Sequence, residues 1–526
     1  MTRHTPDFLR QRSSNLSLRM AAAENAASMS QSTSSAVERE TRREEPTPKT
    51  VKAADIKPEN YTTPFCEFLQ ENPTIFHTVD HFKGQLAKRG YKELSARDDW
   101  TGKVQAGGKY YTTRNGSSLI AFAVGKAYKP GNGVAMIAGH IDALTARLKP
   151  VSNKPNKAGY LQLGVAPYAG GLNETWWDRD LSIGGRVIVR DESGKTTAKL
   201  VKLGWPIAKI PTLAPHFGVG MMGTNNKETQ AVPIIGLDNS DLYPSSSPVT
   251  QESLGPPGSF VATQPPKLVK LIGSELGIKD YSQIVNWELE LFDFQPATVA
   301  GIDKEFITAG RIDDKLCSWA ALEGLLAAES GDDEGTIKMV ALFDDEEIGS
   351  LLRQGAKGNF LPLVIERAVE SLCEKTSTSY GPSVIGRTYA QSFLVSADVT
   401  HAINPNFVGK YLDDHAPRLN VGIVICADSN GHMTTDAVST AILTRVCELS
   451  DCTPQVFMIR NDSRSGGTVG PTLSSVMGVK AADAGMPQLS MHSVRATTGS
   501  LDPGLGVKFF KGFLDNFEKV DGEWSH

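Results

Sequence analysis

Four strand-type runs in this chain each lead into a histidine or an acid. Residues 134–138 (VAMIA) run into Gly139-His140-Ile141-Asp142, and residues 339–343 (MVALF) into Asp344-Asp345-Glu346-Glu347. Residues 393–396 (FLVS) run into Ala397-Asp398, and residues 487–491 (PQLSM) into His492. Short apolar runs alternating with helix-like stretches such as DKLCSWAALEGLLAA predict an α/β fold. Its mostly parallel central sheet would be flanked by helices on both faces. In open sheets of this kind, sites form beyond the carboxyl ends of the strands. One pattern therefore constrains the fold and says where to look for chemistry.

Four consecutive carboxylates after a buried strand are hard to accommodate. Two like charges 4 Å apart repel by about 1 kcal/mol in water, and by about 4 kcal/mol at an effective dielectric of about 20. Either the acids face solvent or a cation lies among them. The other strand-end residues favour the cation. His140, Asp398 and His492 join the acids, as does Asp313 in Arg311-Ile312-Asp313-Asp314 ahead of a helix-like stretch, although helix capping is the plainer role for an aspartate there. Imidazoles and carboxylates together suit zinc or a similar divalent ion. In His140-x-Asp142 the strand period of two puts both side chains on one face, so the acid can orient the imidazole. Glu346 and Glu347 diverge, so one can bind metal while its neighbour takes a proton from water. Five ligand-type positions exceed the three that a single catalytic zinc usually takes. Two ions sharing a bridging carboxylate fit better. Paired sites serve phosphatases, nucleases and aminopeptidases alike, and the spacing does not choose among them.

The chain has 526 residues, enough for more than one domain, and a net charge of −5 that gives no reason to expect nucleic acid or an anionic membrane. No apolar stretch approaches the roughly 18 residues of a membrane span. The six cysteines contain no CxxC pair, which argues against a disulfide scaffold or a thiolate zinc site. Residues 1–55 are poor in large apolar side chains and read as a disordered arm. The first twenty residues set Arg3, Arg10, Arg12 and Arg19 against the single acid Asp7, as in a transit segment, a receptor-docking propeptide or a plain tail. Helical spacing covers residues 63–90, strands are expected at 109–112 and 118–124, and residues 160–201 read as antiparallel β. Residues 238–266 read as a Pro/Ser/Gly-rich surface loop. The expected organisation is an α/β domain made of residues 56–142 and 301–526, interrupted by a β-rich insertion at 143–300.

The segments GHIDALTARLKP, APYAGGLNETWWDRDLSIGGR, IPTLAPHFG, RIDDKLCSWAAL, FDDEEIGS, SADVTHAINPN, SGGTVGPTLSS and MPQLSMHSVR occur in order. Together they closely resemble the aspartyl aminopeptidase / vacuolar aminopeptidase I family of dinuclear zinc exopeptidases, and in particular its fungal vacuolar branch. The resemblance implies a zinc-peptidase-like catalytic domain with the insertion used for dimerisation, assembled as a dodecamer. It implies two Zn²⁺ per subunit, one held by His140 and Asp398, the other by Glu347 and His492, with Asp313 bridging. Glu346 would be the general base and Asp142 would orient His140. His216 would reach a neighbouring subunit's site, and Gly466 and Gly467 would lie along the peptide substrate. Val421 stands where aspartyl-selective members are expected to carry a lysine. The expected substrates are therefore peptides with neutral or apolar amino-terminal residues such as leucine; an aspartyl preference and a receptor-read cargo particle with little catalysis are the alternatives. The branch implies a vacuolar location, with the cytoplasm as the alternative and residues 1–55 as a segment for a transport receptor.

Overall fold

The structure is a computed structural model that describes residues 51–217, 225–239, 242, 254–328 and 331–524. The expected arm falls almost wholly outside these residues, as does part of the Pro/Ser/Gly-rich stretch. Among the described residues no helix is long and apolar enough to cross a membrane.

Among the described residues, nine strands form the central sheet. Its middle is four parallel neighbours: Ile337–Phe343, Val134–His140, Phe393–Ser396 and Lys480–Gly485. Antiparallel pairs flank this block, Ser118–Val124 with Ile337–Phe343 on one side and Val424–Ala427 with Lys480–Gly485 on the other. The sheet is therefore mixed, with its parallel part at the centre.

Three of the four middle strands are buried along their whole length, and Lys480–Gly485 in all but its first residue. Strand period two sends Ala135, Ile137, Val340 and Leu342 into one core, and Val134, Met136, Met339 and Phe343 into another. Helices Ile312–Ala327, Ala437–Ser450 and Asp502–Gly522 contribute to the first core; Phe360–Lys375 and Gly470–Met477 contribute to the second. Each face of the sheet is thus covered by helices, which is why the strands read as continuous apolar runs.

The helical stretch expected at 63–90 is two helices, Thr62–Glu71 and Ile75–Lys88. Pro73 lies between them, and proline disfavours helix at the residue before it. The stretch 487–491 is not a strand of the main sheet. Within it Pro487–Gln488 pairs with Thr400–His401 and Leu489 bridges Thr497, and the buried strand is Lys480–Gly485 just upstream.

Between the strands Val134–His140 and Ile337–Phe343 the chain builds a second, six-stranded antiparallel sheet. It runs from Thr145–Asn153 to Ile284–Asp293 and has its own core, where Trp176, Ile183, Val187, Leu289 and Leu291 pack with helix Pro266–Glu275. A three-stranded sheet, Thr298–Ala300, Phe306–Ala309 and Ala496–Gly499, follows it. Its Ala496–Gly499 strand lies just beyond His492.

Candidate metal centre and active site

His140 is the last residue of its strand and pairs in register with Phe343. The acids after Phe343 therefore leave the sheet beside it. Asp398 follows the adjacent parallel strand by two residues. Three neighbouring strands thus deliver His140, Glu346–Glu347 and Asp398 to one edge, as strand-end chemistry in an open sheet requires.

Asp313 comes from the irregular start of helix Ile312–Ala327. It has non-helical backbone angles (φ −78°, ψ 117°), and Arg311 at the cap position is left-handed (φ 63°) with no side-chain cap. Extended angles of this kind also suit a capping residue, but the Asp313 side chain is directed at the histidines. Its two oxygens face different histidines: Oδ1 lies 3.3 Å from His140 Nε2, and Oδ2 lies 3.5 Å from His492 Nε2. Around His140 Nε2 are also Asp398 Oδ1 at 3.6 Å and Glu346 Oε2 at 3.8 Å. Around His492 Nε2 is Glu347 Oε2 at 3.7 Å. His492 itself sits in a loop with left-handed backbone (φ 63°), as does Ser490 (φ 61°). Left-handed residues at Arg311, Asp345, Ser490 and His492 cluster at this one place, where such strain is most often retained for a function.

Asp142 lies beyond the end of its strand, so strand periodicity is not what brings it to His140. It still accepts from His140 Nδ1 at 3.2 Å. It also accepts from Tyr168 Oη at 2.7 Å and from the backbone amides of Glu346 and Glu347, both at 3.2 Å. Burial works to raise its pKa, but the hydrogen bonds from His140, Tyr168 and Glu347 bring it below the ordinary carboxylate value. Asp142 is therefore a fixed anion behind the imidazole. Asp344 and Asp345 are buried rather than solvated. Burial, then the nearby Asp142 and Asp345 charges, pushes Asp344 up to about 8.

Burial also raises Glu346 to about 8 and Glu347 to about 9; neighbouring carboxylates add to this and His140 partly offsets it. Two donor sets, His140–Asp313–Glu347 and His140–Glu346–Asp398, each have ligand atoms within 4.8 Å of one another. Glu347 Oε1 is buried with no hydrogen-bond partner. Crowded carboxylates around two imidazole nitrogens, with a buried oxygen unpaired, are a donor set that fits divalent zinc.

Next to this edge lies a cavity of about 310 Å³ lined by Asp313, Glu346, Glu347, Asp398 and His492. Gly466 and Gly467 line it, and a β-carbon on Gly467 would come within 2.9 Å of the His432 carbonyl oxygen. Val421 does not line it. That residue is exposed ahead of strand Val424–Ala427, whose Cys426 does face the cavity. His216 is exposed in the short turn Pro215–Phe217, its ring stacked on Phe217, and is not part of the lining. The motif reading missed the side wall: Met433, Phe457, Ile459 and Met491, with the buried acid Asp483. Apolar side chains on short strands and loops carry no spacing signal of their own.

Close packing fixes Asp398. A β-carbon on Gly485 would lie 1.6 Å from the Asp398 carbonyl oxygen. Gly485→Ala should therefore displace Asp398, lowering both zinc content and unfolding free energy, the latter by the about 1–3 kcal/mol typical of overpacking. Metal analysis and denaturant unfolding of the purified variant check this.

The family description "Aminopeptidase I zinc metalloprotease (M18)" matches residues 68–514. The chain is 42% identical over 472 residues to vacuolar aminopeptidase 1 of Saccharomyces cerevisiae, covering 89% of this chain and 90% of that protein. It is 39% identical over 478 residues to the aspartyl aminopeptidase of Aspergillus oryzae, covering 87% and 96%. Among solved structures, that of Chaetomium thermophilum mApe1 superposes with a TM-score of 0.83 at 65% identity, covering 89% of this chain and 100% of that one. The S. cerevisiae mApe1 dodecamer gives 0.76 at 38% identity, covering 88% and 98%. With imidazoles and carboxylates gathered at one edge of the sheet and a family match spanning most of its length, the chain belongs to the aminopeptidase I (M18) zinc metalloproteases.

Proposed function

We propose that this aminopeptidase removes neutral or apolar amino-terminal residues, leucine among them, from peptides, using two zinc ions per subunit. The observation that carries the substrate preference is the cavity wall of Met433, Phe457, Ile459 and Met491 beside the metal ligands. The buried acid Asp483 in the same cavity opposes an acidic side chain, and Arg464, which also lines it, is exposed and has solvent to screen it.

His140 and Asp398 would hold one ion, Glu347 and His492 the other, with Asp313 between them. Bound there, zinc supplies Lewis acidity toward the scissile carbonyl and makes water a better nucleophile. Glu346, at the cavity edge, receives the proton of the attacking water and passes it to the leaving amine. Asp142 keeps His140 Nδ1 hydrogen-bonded, so that Nε2 is the nitrogen presented to metal. The apolar wall takes the side chain of the first residue, while Gly466 and Gly467 let the peptide backbone pass close.

The relative whose solved form is titled a dodecamer supports the same assembly here, with the insertion of residues 143–300 as the dimerisation domain and exposed His216 reaching a neighbouring copy. The relative named vacuolar supports a vacuolar location, with residues 1–55 read by a transport receptor.

The test is a panel of chromogenic aminoacyl substrates assayed with and without chelator. Leucine should exceed aspartate in kcat/KM by at least about tenfold, since one well-matched apolar contact discriminates by about 1–3 kcal/mol. An aspartate preference would reverse the reading of the wall.

A further inference from the structure

We propose that the turn formed by residues 168–175 of the β-rich insertion is a clamp that positions both histidines of the metal centre; the inference rests on the site reading above. The turn reaches the centre at two points. Tyr168 donates its hydroxyl to Asp142 Oδ2 at 2.7 Å, and Asp142 accepts from His140. Asn173 donates its Nδ2 to the carbonyl oxygen of His492 at 2.8 Å, and Thr175 Oγ1 accepts from the Val494 amide at 2.8 Å.

His492 needs such support more than the other ligand-type residues do. Its side chain is 55% exposed, whereas that of His140 is 1% exposed, so packing does not hold it. Its backbone is left-handed (φ 63°), a conformation that persists in a non-glycine residue only when its surroundings over-determine it. Its loop is held within itself by two bonds, Ser493 N to Ser490 O and Arg495 N to Ser493 Oγ. Asn173 and Thr175 grip it from outside, at His492 and at Val494.

The clamp is itself rigid. Asn173 Oδ1 accepts from Thr175 N and Oγ1 at 3.0 and 2.6 Å. That pairing caps the short turn Glu174–Trp176, but it leaves Nδ2 to reach outward to His492. Leu172 and Trp176 are buried in the insertion's core, and the guanidinium of Arg147 lies 3.7 Å from the centre of the Tyr168 ring. Ala169 (φ 52°) and Leu172 (φ 58°) are left-handed. Gly171 is needed because a β-carbon there would fall 1.9 Å from the Thr145 carbonyl oxygen. The turn thus has one geometry, tied to a core separate from the one that carries the strand-end ligands. Tyr168, Asn173 and Thr175 are positioning residues: they touch neither substrate nor metal, and act through Asp142 and the His492 backbone.

The test is zinc titration of the full-length metal-free protein against a chromophoric chelator. The wild type should bind two equivalents. Thr175→Val and Asn173→Ala should each weaken one equivalent by about 10–100-fold, the usual effect of losing a ligand's supporting hydrogen bond. Thr175→Ser, which keeps the hydroxyl, should restore it, and Tyr168→Phe should weaken the other equivalent. At limiting zinc kcat should fall more than KM rises, while the metal-free variants should still unfold cooperatively as folded proteins, with Thr175→Ser matching wild type. If the wild type binds two equivalents and the Val, Ala and Phe variants hold both as tightly, the clamp is refuted and the site reading stands. If the wild type binds fewer than two, the site reading fails and takes the clamp with it.

Discussion

Glu346→Gln should lower kcat by about 10²–10⁴-fold, the range that a positioned proton acceptor supplies, while zinc content and assembly stay as in the wild type. Glutamine keeps the shape and one acceptor oxygen but cannot take a proton. The backbone would hold, because the Glu346 amide is anchored on Asp142 and its residue opens the short turn Glu346–Ile348. Asp313, Glu347, Asp398, His140 and His492 all remain to bind metal. A group that acts only as the reaction proceeds should lower kcat and kcat/KM together and leave KM alone. Glu347→Gln is the contrast. Its Oε2 lies 3.7 Å from His492 Nε2, so that variant should lose zinc as well as turnover. Steady-state kinetics paired with metal analysis separates the two acids. If Glu346→Gln keeps more than about a tenth of wild-type kcat, or loses zinc as Glu347→Gln does, the base is misassigned.

These two adjacent acids show why the convergence of the strand-end residues was legible. Parallel neighbours in one sheet end at the same edge, so a histidine or acid after each apolar run converges without any further information. His140, Glu346, Glu347 and Asp398 are of this kind. Asp313 was found by residue type ahead of a helix, where capping was the plainer role, and its exact position depends on an irregular helix start that no propensity predicts. His492 was likewise assigned to the end of a strand that does not extend that far; its loop is fixed by contacts with Asn173 and Thr175, 319 residues away in the chain. Such long-range hydrogen bonds leave no local period to read. The substrate wall was illegible for a related reason. Met433 and Phe457 are ordinary apolar residues until folding sets them beside the metal ligands, whereas Val421, singled out by motif position, is exposed and outside the cavity.

Asp313→Asn should have the largest effect on metal binding, because Asp313 alone offers one oxygen to each histidine. An amide has a single acceptor oxygen, so whichever way it turns, one half of the centre meets an N–H group that cannot ligate. Zinc content should fall by at least one equivalent, and activity by more than the about 10–100-fold expected for losing a mere supporting bond. Stability should move the other way. Asp313 is buried and its carboxylate lies near that of Asp398, so burial and like-charge repulsion both disfavour its ionised form, with His140 a partial offset. Removing one of those charges relieves the metal-free protein, so metal-free Asp313→Asn should unfold at the same temperature as metal-free wild type or higher. Added zinc should raise the wild-type midpoint strongly and the variant's little, because a ligand stabilises only the state that binds it. Calorimetry with and without zinc reads both effects. A variant that is destabilised when metal-free, yet gains as much from zinc as wild type does, would show that Asp313 holds the fold rather than the ions.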